Sequence, residues 1–505
     1  MRPSGESRTK RTKGGRRKKR KRHVGRWIAT GTSLCVVGAA GAGWAYYAHL
    51  NSNLKKDTLN LSATKAEKTK ANAAGQTPLN ILLLGSDSRA SKENQKLGGA
   101  KGDATRKPLA DVQMLLHVSA DRKNMTVVSV PRDTRVTIPK CTGTDGTVYP
   151  ATSTQTINTS LQHGGPGCTV ATWEKLTGIS VDHFMMIDFS GVVSMADAVG
   201  GVPVCVKSNV SDKLSGLKLT KGTHTIKGEQ ALQWLRTRHG FEDGSDIGRT
   251  HAQHLYMNSM VRRLKAGTSL TDPGKLMDLA EAATKALTVD NGLGSVKKLY
   301  DLAADLKKVP TSGITMTTMP WGADPENPTA HVVPTAAATQ LFTMLRNDQS
   351  VDGKKSGTAT PAPSASAAPK ADIAVTVQNG TSTDTQSPVS GRAAQVAGKL
   401  TSLGYAKTEV DDSLVSRSGT TVSYPSDDQK GNAQAVAGSL GLPASAVKKS
   451  SSAQGITLVV GADWTTGTTY PKTSSSDTKQ TLTEAAAVNA SDETACMKVN
   501  PNNTW

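Results

Sequence analysis

Aromatic side chains are scarce in this chain of 505 residues: Phe, Trp and Tyr together make up 4%. The length is too great for one ordinary core, and so few large rings with abundant Gly, Ala, Ser and Thr point to long unstructured segments. Two or more compact domains separated by such segments are expected. Cysteine is rare as well, with five in all. None stands at metal-ligand spacing or in a Cys/His catalytic arrangement, which removes zinc modules and thiol nucleophiles from consideration. Acidic residues are nearly absent from residues 1–26, where Glu6 faces thirteen Lys and Arg. Subtracting that net +12 from the formal +20 leaves +8 for everything else, so the high pI says little about the folded part. No helix-turn-helix pattern and no interleaved aromatics accompany the basic run. Attraction to anionic membrane lipids is therefore its favoured reading, and no nucleic-acid partner is expected.

Residues 27–50, "WIATGTSLCVVGAAGAGWAYYAHL", carry no charged side chain apart from a titratable His49. About 20 apolar residues cross a bilayer as a helix, and Trp27 at one end with Trp44, Tyr46 and Tyr47 at the other match interfacial aromatic belts. The stretch exceeds the apolar part of a cleavable signal peptide, and no A-x-A site follows. It is expected to be a signal anchor, with the basic tail cytoplasmic and residues 51–505 outside the membrane. Cys35 lies in this segment, while Cys141, Cys168, Cys205 and Cys496 fall where disulfides persist. Four cysteines allow three pairings; the Gly/Thr-rich loops around Cys141 and Cys168 favour that pair.

Residues 51–77 read as a polar stalk. "NILLLGSD" is a buried strand feeding a loop, and 110–139 reads as a hairpin turning at Ala120–Asn124. "VDHFMMIDF" is a strand, "SGVVSMADAVGG" a short helix and "VPVCV" a returning strand. "GEQALQWLRTR" begins as a helix, and "DIGRTHAQHLYMNSMVRRLK" is a longer one with Asp246 expected at its N-cap. Further helical patterns close an α/β domain at residue 347, spanning 78–347. A Pro/Ala/Ser linker follows at 348–371, then a smaller α/β unit at 372–464 and a loose polar tail at 465–505.

The charged residues of the first domain stand where strands or helices end: Asp87 and Arg89, Asp111, Arg132 and Asp133, then Arg236, Arg238 and Arg249. Ligands of sheet-based folds collect at strand ends. Guanidinium forks suit phosphate oxygens. Arg249 lies in the first turn of its helix, where a cation opposes the dipole unless an anion compensates it. Two separated carboxylates suit Mg²⁺, which shares phosphate oxygens and keeps waters. Taken singly, each arginine would pass for a surface ion pair of small effect; together they describe a diphosphate site.

The stretches "NILLLGSDSR", "VVSVPRDTRVTIP", "DHFMMIDFSGVVSMADAVGGVPV" and "GEQALQWLRTRHGFEDGSDIGRTHAQ" resemble the LytR-CpsA-Psr family of wall-polymer ligases, in the family's order over residues 78–265. The unit with "VTVQNGTS" and "LVVGADW" looks like the LytR C-terminal domain. The resemblance implies a domain with a central β-sheet flanked by helices. It also implies a Mg²⁺-dependent phosphotransferase that moves a glycopolymer with its phosphate from a polyprenyl-diphosphate lipid to a peptidoglycan hydroxyl. It assigns Arg89, Arg132, Arg236, Arg238, Arg249 and Gln253 to the diphosphate, and Asp87 and Asp111 to the metal. Arg132, Arg236, Arg238, Arg249 and Asp111 become the catalytic set, with Asp133 and Asp246 orienting the arginines beside them. The family's Arg-Ser/Thr-Asp-Thr is replaced here by "PLADV", and the insertion "ASKENQKLGGAKGDATRKP" separates Asp87 from Asp111, with Arg106 available in place of the missing arginine. A non-catalytic binder of wall polymer or lipid diphosphate is the competing reading. A transcriptional regulator is excluded by the topology.

Overall fold

The computed structural model describes residues 20–505 except 70, 73, 99–104, 267–272, 352–366, 383–386, 418, 443–445 and 471–486. Residues 1–19 of the basic tail, most of the 348–371 linker and residues 471–486 of the tail therefore lie outside the described residues. The chain divides into two units, Met1–Asn53 and Leu54–Trp505.

The first unit contributes one helix, α1 (Arg20–Asn53). Among the described residues no helix is long and apolar enough to cross a membrane. The expected span 27–50 is helical throughout.

The second unit is built on a mixed sheet of eight strands: β1 (Lys55–Asp57), β2 (Leu79–Ser86), β3 (Ala110–Val118), β4 (Met125–Ser129), β5 (His183–Ile187), β6 (Leu287–Asp290), β7 (Ile314–Thr318) and β8 (Val488–Asn489). Their spatial order is β1-β6-β5-β2-β3-β4-β7-β8. At the centre, β2 runs antiparallel to β3 (Leu82 opposite Leu115) and parallel to β5 (Leu82 opposite Phe184). Because side chains alternate across a strand, the unbroken apolar run of β2 serves two faces, as in strands covered on both sides. Leu82 and Leu84 enter a core with Val128 and Trp173, and Ile81 enters another with Met114 and Val127. Gly85 is needed where β2 meets β3, since a Cβ there would stand 2.9 Å from the Cβ of Val112.

Helices cover the sheet: α2 (Pro166–Thr177), α3 (Phe189–Ala198), α4 (Gly228–Arg236), α5 (Asp246–Lys265), α6 (Pro273–Ala286) and α7 (Ala336–Arg346). α2 opens on proline and stops at Gly178 in the left-handed region (φ 67°), the start and stop chemistry favoured at helix ends. Its Trp173 is fully buried and donates its indole N–H to Gln113 at 2.6 Å.

Two segments differ from expectation. The stalk is folded into the domain from Leu54 onward. β1 pairs with β6, Leu59 and Leu61 pack on the core, and Glu174 accepts from Asn60 at 2.8 Å and from the Ala66 N–H at 3.1 Å. Gly167 lets this segment approach, because a Cβ there would lie 2.5 Å from the Thr58 carbonyl oxygen. The end of the chain, expected to be loose, returns to the first domain. β8 pairs with β7, Cys496 is bonded to Cys205, and Met497 and Val499 are buried beside Trp234 and Phe241. A two-residue strand and two isolated apolar residues carry no periodicity that sequence reading can detect. The other disulfide is Cys141–Cys168, as expected.

The smaller domain has a five-stranded sheet in the order 407–416, 374–382, 456–461, 421–424, 447–449, with helices at 392–402 and 430–440. Val377, Leu400, Tyr405, Leu440 and Trp464 fill its core.

Candidate active site

A cavity of about 640 Å³ opens at the C-terminal end of β2, bounded by β3, β5, α3, α4 and α5. Its polar end is lined by five arginines, Arg89, Arg106, Arg132, Arg236 and Arg249, against three carboxylates, Asp87, Asp111 and Asp188. Positive charge therefore exceeds negative within the lining.

Each of these side chains is placed by a local rule. Asp87 directly follows β2; its carboxylate accepts from the Leu109 N–H at 2.7 Å and is ion-paired with Arg106. The insertion thus supplies a guanidinium where "PLADV" lacks one. Asp111 is the second residue of β3, and its Oδ1 takes an N–H of Arg132 at 3.2 Å. Arg132 follows β4 through Val130 and Pro131, and its Nε stands 3.4 Å from Asp133 and 3.7 Å from Asp246. Burial works against the charge on Arg132, but Asp111, Asp246 and Asp133 outweigh it and hold its pKa above the ordinary value.

α5 is capped by Ser245, whose Oγ accepts from the Ile247 N–H at 3.2 Å. Asp246, expected as the cap, is instead the first helical residue. Its carboxylate is thereby available to Arg249, whose guanidinium it meets at 2.6 Å. Gln253 lies four residues beyond Arg249 on the same helical face; it donates to the Leu235 carbonyl oxygen at 3.1 Å and also lines the cavity. Arg236 ends α4, donates to the Leu97 carbonyl oxygen at 2.7 Å and lies 5.0 Å over the Phe189 ring. Its pKa is lowered, first by burial and then by the charges of Arg89 and Arg249. Guanidiniums crowded closely enough to disfavour one another favour an anion among them.

Of the expected residues, Arg238 is the exception. α4 ends at Arg236, and the buried Thr237 turns extended (φ −62°, ψ 119°). Arg238 does not line the cavity, and its Nε is buried without a hydrogen-bond partner among the described residues. Sequence reasoning also missed contributors. Asp188 caps α3 through the Gly191 N–H at 2.9 Å and holds Asn94 at 2.9 Å, on the short helix Lys92–Gly98 of the insertion. Phe189 supplies the ring under Arg236. The strand-to-helix step "IDFS" was the available signal, since Asp before a helix is a preferred cap.

Behind the arginines the cavity is apolar, with Leu83 and Met185 from the sheet, Val192 and Met195 from α3, Leu232 from α4 and Met257 from α5. Among the described residues there is no group of three or more His, Cys, Asp or Glu that could hold a metal. Asp87 and Asp111 both line the polar end. As a donor set they fit Mg²⁺ in the way the ion is held beside phosphate, by one or two carboxylates with phosphate oxygens completing the shell.

The sequence profile of the LytR_cpsA_psr family matches residues 45–347, and the profile described as LytR cell envelope-related transcriptional attenuator matches 372–464. A "Cell wall biosynthesis protein LcpA" of Corynebacterium glutamicum is 29% identical over 420 residues, covering 76% of each chain. The "Polyisoprenyl-teichoic acid--peptidoglycan teichoic acid transferase TagT" of Bacillus subtilis is 27% identical over 310 residues, 59% of this chain and 88% of that protein. Among solved structures, the "LytR-Csp2A-Psr enzyme from Actinomyces oris" aligns at 21% identity and a TM-score of 0.43 over 58% of this chain and 96% of that one.

Proposed function

The chain belongs to the LytR-CpsA-Psr family, and from that premise we propose that it is a membrane-anchored, extracytoplasmic phosphotransferase of cell-wall assembly. Its donor is a glycopolymer carried on a polyprenyl diphosphate, and its acceptor is a hydroxyl of peptidoglycan. One observation carries this reading: a cluster of arginines, Arg89, Arg132, Arg236 and Arg249 with Arg106, stands at the mouth of an apolar cavity. An ionic head joined to a long apolar tail is the ligand that satisfies both ends. The α1 segment 27–50 is the anchor, with the basic tail against anionic lipids.

The polyprenyl chain lies among Leu83, Met185, Val192 and Met257, and the diphosphate among the guanidiniums. The acceptor hydroxyl attacks the phosphorus that carries the glycan, and the proton it loses is taken up by the departing polyprenyl phosphate. The bond from that phosphorus to the bridging oxygen breaks, and polyprenyl phosphate leaves with the pair. Arg249, held by Asp246, and Arg132, held by Asp111, are pre-oriented toward charge that grows on the departing phosphate, so the protein's contribution is positioning and electrostatics. Mg²⁺, held by Asp87 and Asp111, would neutralise phosphate charge. Gln253 and Arg236 steady the bound head, and the crowding of Arg236 is relieved when the anion enters.

The test is Mg²⁺-dependent release of polyprenyl phosphate from a lipid-linked donor supplied with peptidoglycan. Arg132→Ala and Arg249→Ala should each abolish transfer. Wild-type turnover in either variant refutes the assignment. Donor binding with no turnover by the wild-type protein would favour the non-catalytic reading.

A further inference from the structure

A second cavity, of about 890 Å³, lies between the first domain and the smaller domain. The stalk residues 62–69, α2 and the end of α7 form one wall. Arg417, residues 419–421, Ser423, Ala446, residues 448–450, Asp463 and Tyr470 of the smaller domain form the other. Seven basic residues line it against three acidic ones, Glu67, Glu174 and Asp463. Each acid is engaged. Glu174 accepts from Asn60 and from the Ala66 and Val181 N–H groups. Asp463 accepts from Thr420 at 2.7 Å and from the Tyr470 hydroxyl at 2.9 Å. Glu67 is paired with Lys448. Two of the basic residues pair with acids outside the lining, Lys68 with Asp182 and Lys449 with Asp427, and positive charge remains in excess in this cleft.

The lining also indicates what kind of anion fits. Hydroxyl side chains come from both walls, including Ser62, Thr64, Thr343, Thr421 and Ser423, while among the described residues Tyr470 is the one aromatic lining residue. Stacking of nucleobases, or of neutral sugars on aromatic faces, has no platform here. Ammonium and guanidinium groups interleaved with hydroxyls match a chain that alternates phosphates with polyol or sugar hydroxyls.

The position separates this cleft from the arginine cavity. Lys68 pairs with Asp182 at 3.3 Å, and Asp182 accepts from the Asn80 N–H at the start of β2, whereas Asp87 follows the end of β2. Eight strand residues at about 3.3 Å each place the two sites on the order of 25 Å apart.

We propose that this inter-domain cleft binds the phosphodiester-linked chain of the glycopolymer at a distance from the diphosphate, so that the smaller domain grips polymer rather than taking part in chemistry. This rests on the transferase reading above. The cleft favours polyanionic polymers long enough to reach it and gives no advantage to short or neutral ones.

The experiment uses the full-length protein and a lipid-free poly(glycerol phosphate) oligomer as probe, with neutral dextran and soluble muropeptides as comparators. The oligomer should bind with an affinity that falls as salt rises, and dextran should not bind. Lys65→Glu with Arg417→Glu should weaken oligomer binding at least tenfold, as should Lys448→Ala with Lys449→Ala, with unchanged thermal unfolding. Arg132→Ala should leave it intact. Equal affinity in wild type and both double variants overturns the proposal, as does preferential binding of dextran or muropeptides. Transfer of a short-chain donor separates the two ideas. If the cleft variants transfer it at wild-type rate but also bind long polymer normally, this inference fails while the transferase reading stands. Loss of the transferase reading shows instead in Arg132→Ala.

Discussion

Replacing Cys205 and Cys496 together by serine should destabilise the first domain more than replacing Cys141 and Cys168. The two bonds close very different lengths of chain, 291 and 27 residues. By chain entropy alone the longer closure restricts the unfolded chain by about 5–6 kcal/mol and the shorter by about 3–4 kcal/mol. Native-state adjustments reduce such figures, and removal of a native disulfide costs roughly 2–5 kcal/mol in practice. The terminal segment keeps other holds in the folded state. Met497 is fully buried and Val499 nearly so, the Glu242 N–H donates to the Lys498 carbonyl oxygen, and the Asn500 N–H donates to that of Gly240. Losing the bond therefore acts chiefly through the unfolded ensemble, and the segment stays docked under mild conditions. At roughly 2–4 °C per kcal/mol, the Cys205/Cys496 variant should melt about 10 °C below wild type in a scanning calorimeter, and the Cys141/Cys168 variant should fall less. Transfer measured well below the melting range should survive. A melting temperature unchanged by the Cys205/Cys496 substitution, or a larger effect from the shorter loop, would refute this account.

Three further outcomes follow from the same geometry. Truncation after residue 486 removes Met497 and Val499 from the core around Trp234 and Phe241; it should cost both stability and transfer, measured by urea unfolding and product release, because those residues back the loop between Arg236 and Arg249. His254 is buried, hydrogen-bonded to Ser129, and its pKa is lowered to about 3 by burial. The unfolded chain takes up a proton that the folded chain refuses. Stability is therefore complete above pH 6.5 and falls by about 1.4 kcal/mol per pH unit below it, until about pH 3. Denaturant unfolding at pH 7 and pH 5 should show that loss, and His254→Gln should flatten it. Met185→Trp, which fills the apolar part of the cavity, should raise KM for long-chain donors while a donor with a short lipid is spared; equal KM values would remove that wall from the lipid site.

The convergence of Asp87, Arg89, Asp111, Arg132, Arg236 and Arg249 was legible because each residue sits at or just beyond the end of an element with a strong pattern, whereas Gln253, two turns into α5, was placed only by the family resemblance. The apolar run before Asp87, the hairpin around Ala120–Asn124 and the helical period after Asp246 determine where chain ends meet. The α/β class was legible for the same reason. Arg238 was not, because the dipeptide "TR" after a helix does not reveal which way the chain leaves it; the extended Thr237 decides that, and its burial is a tertiary fact. The cap of α5 shows the same limit, since Ser245 and Asp246 are both good N-cap residues. Only the ion pairs to Arg249 and Arg132 show why the carboxylate sits one residue inside.

What escaped sequence reading has a common physical character. β1, β8 and the short helix Lys92–Gly98 are too brief for periodicity, and each is stabilised by a partner far away in sequence: β1 by β6, β8 by β7, and the helix through Asn94 on Asp188. Their stability is borrowed from the sheet edge or from the site itself, so composition reads them as stalk, tail and insertion. The insertion is the clearest case. Its sequence is polar and glycine-rich, which argues for a loop. Yet Arg106 pairs with Asp87, and the Leu97 carbonyl oxygen takes an N–H of Arg236. A segment with no core of its own therefore holds two of the groups, Asp87 and Arg236, that line the cavity. Its order should depend on those charges: Asp87→Asn leaves Arg106 without its carboxylate and should raise amide hydrogen exchange across residues 92–98. Protection there equal to wild type would show that the insertion folds without the site.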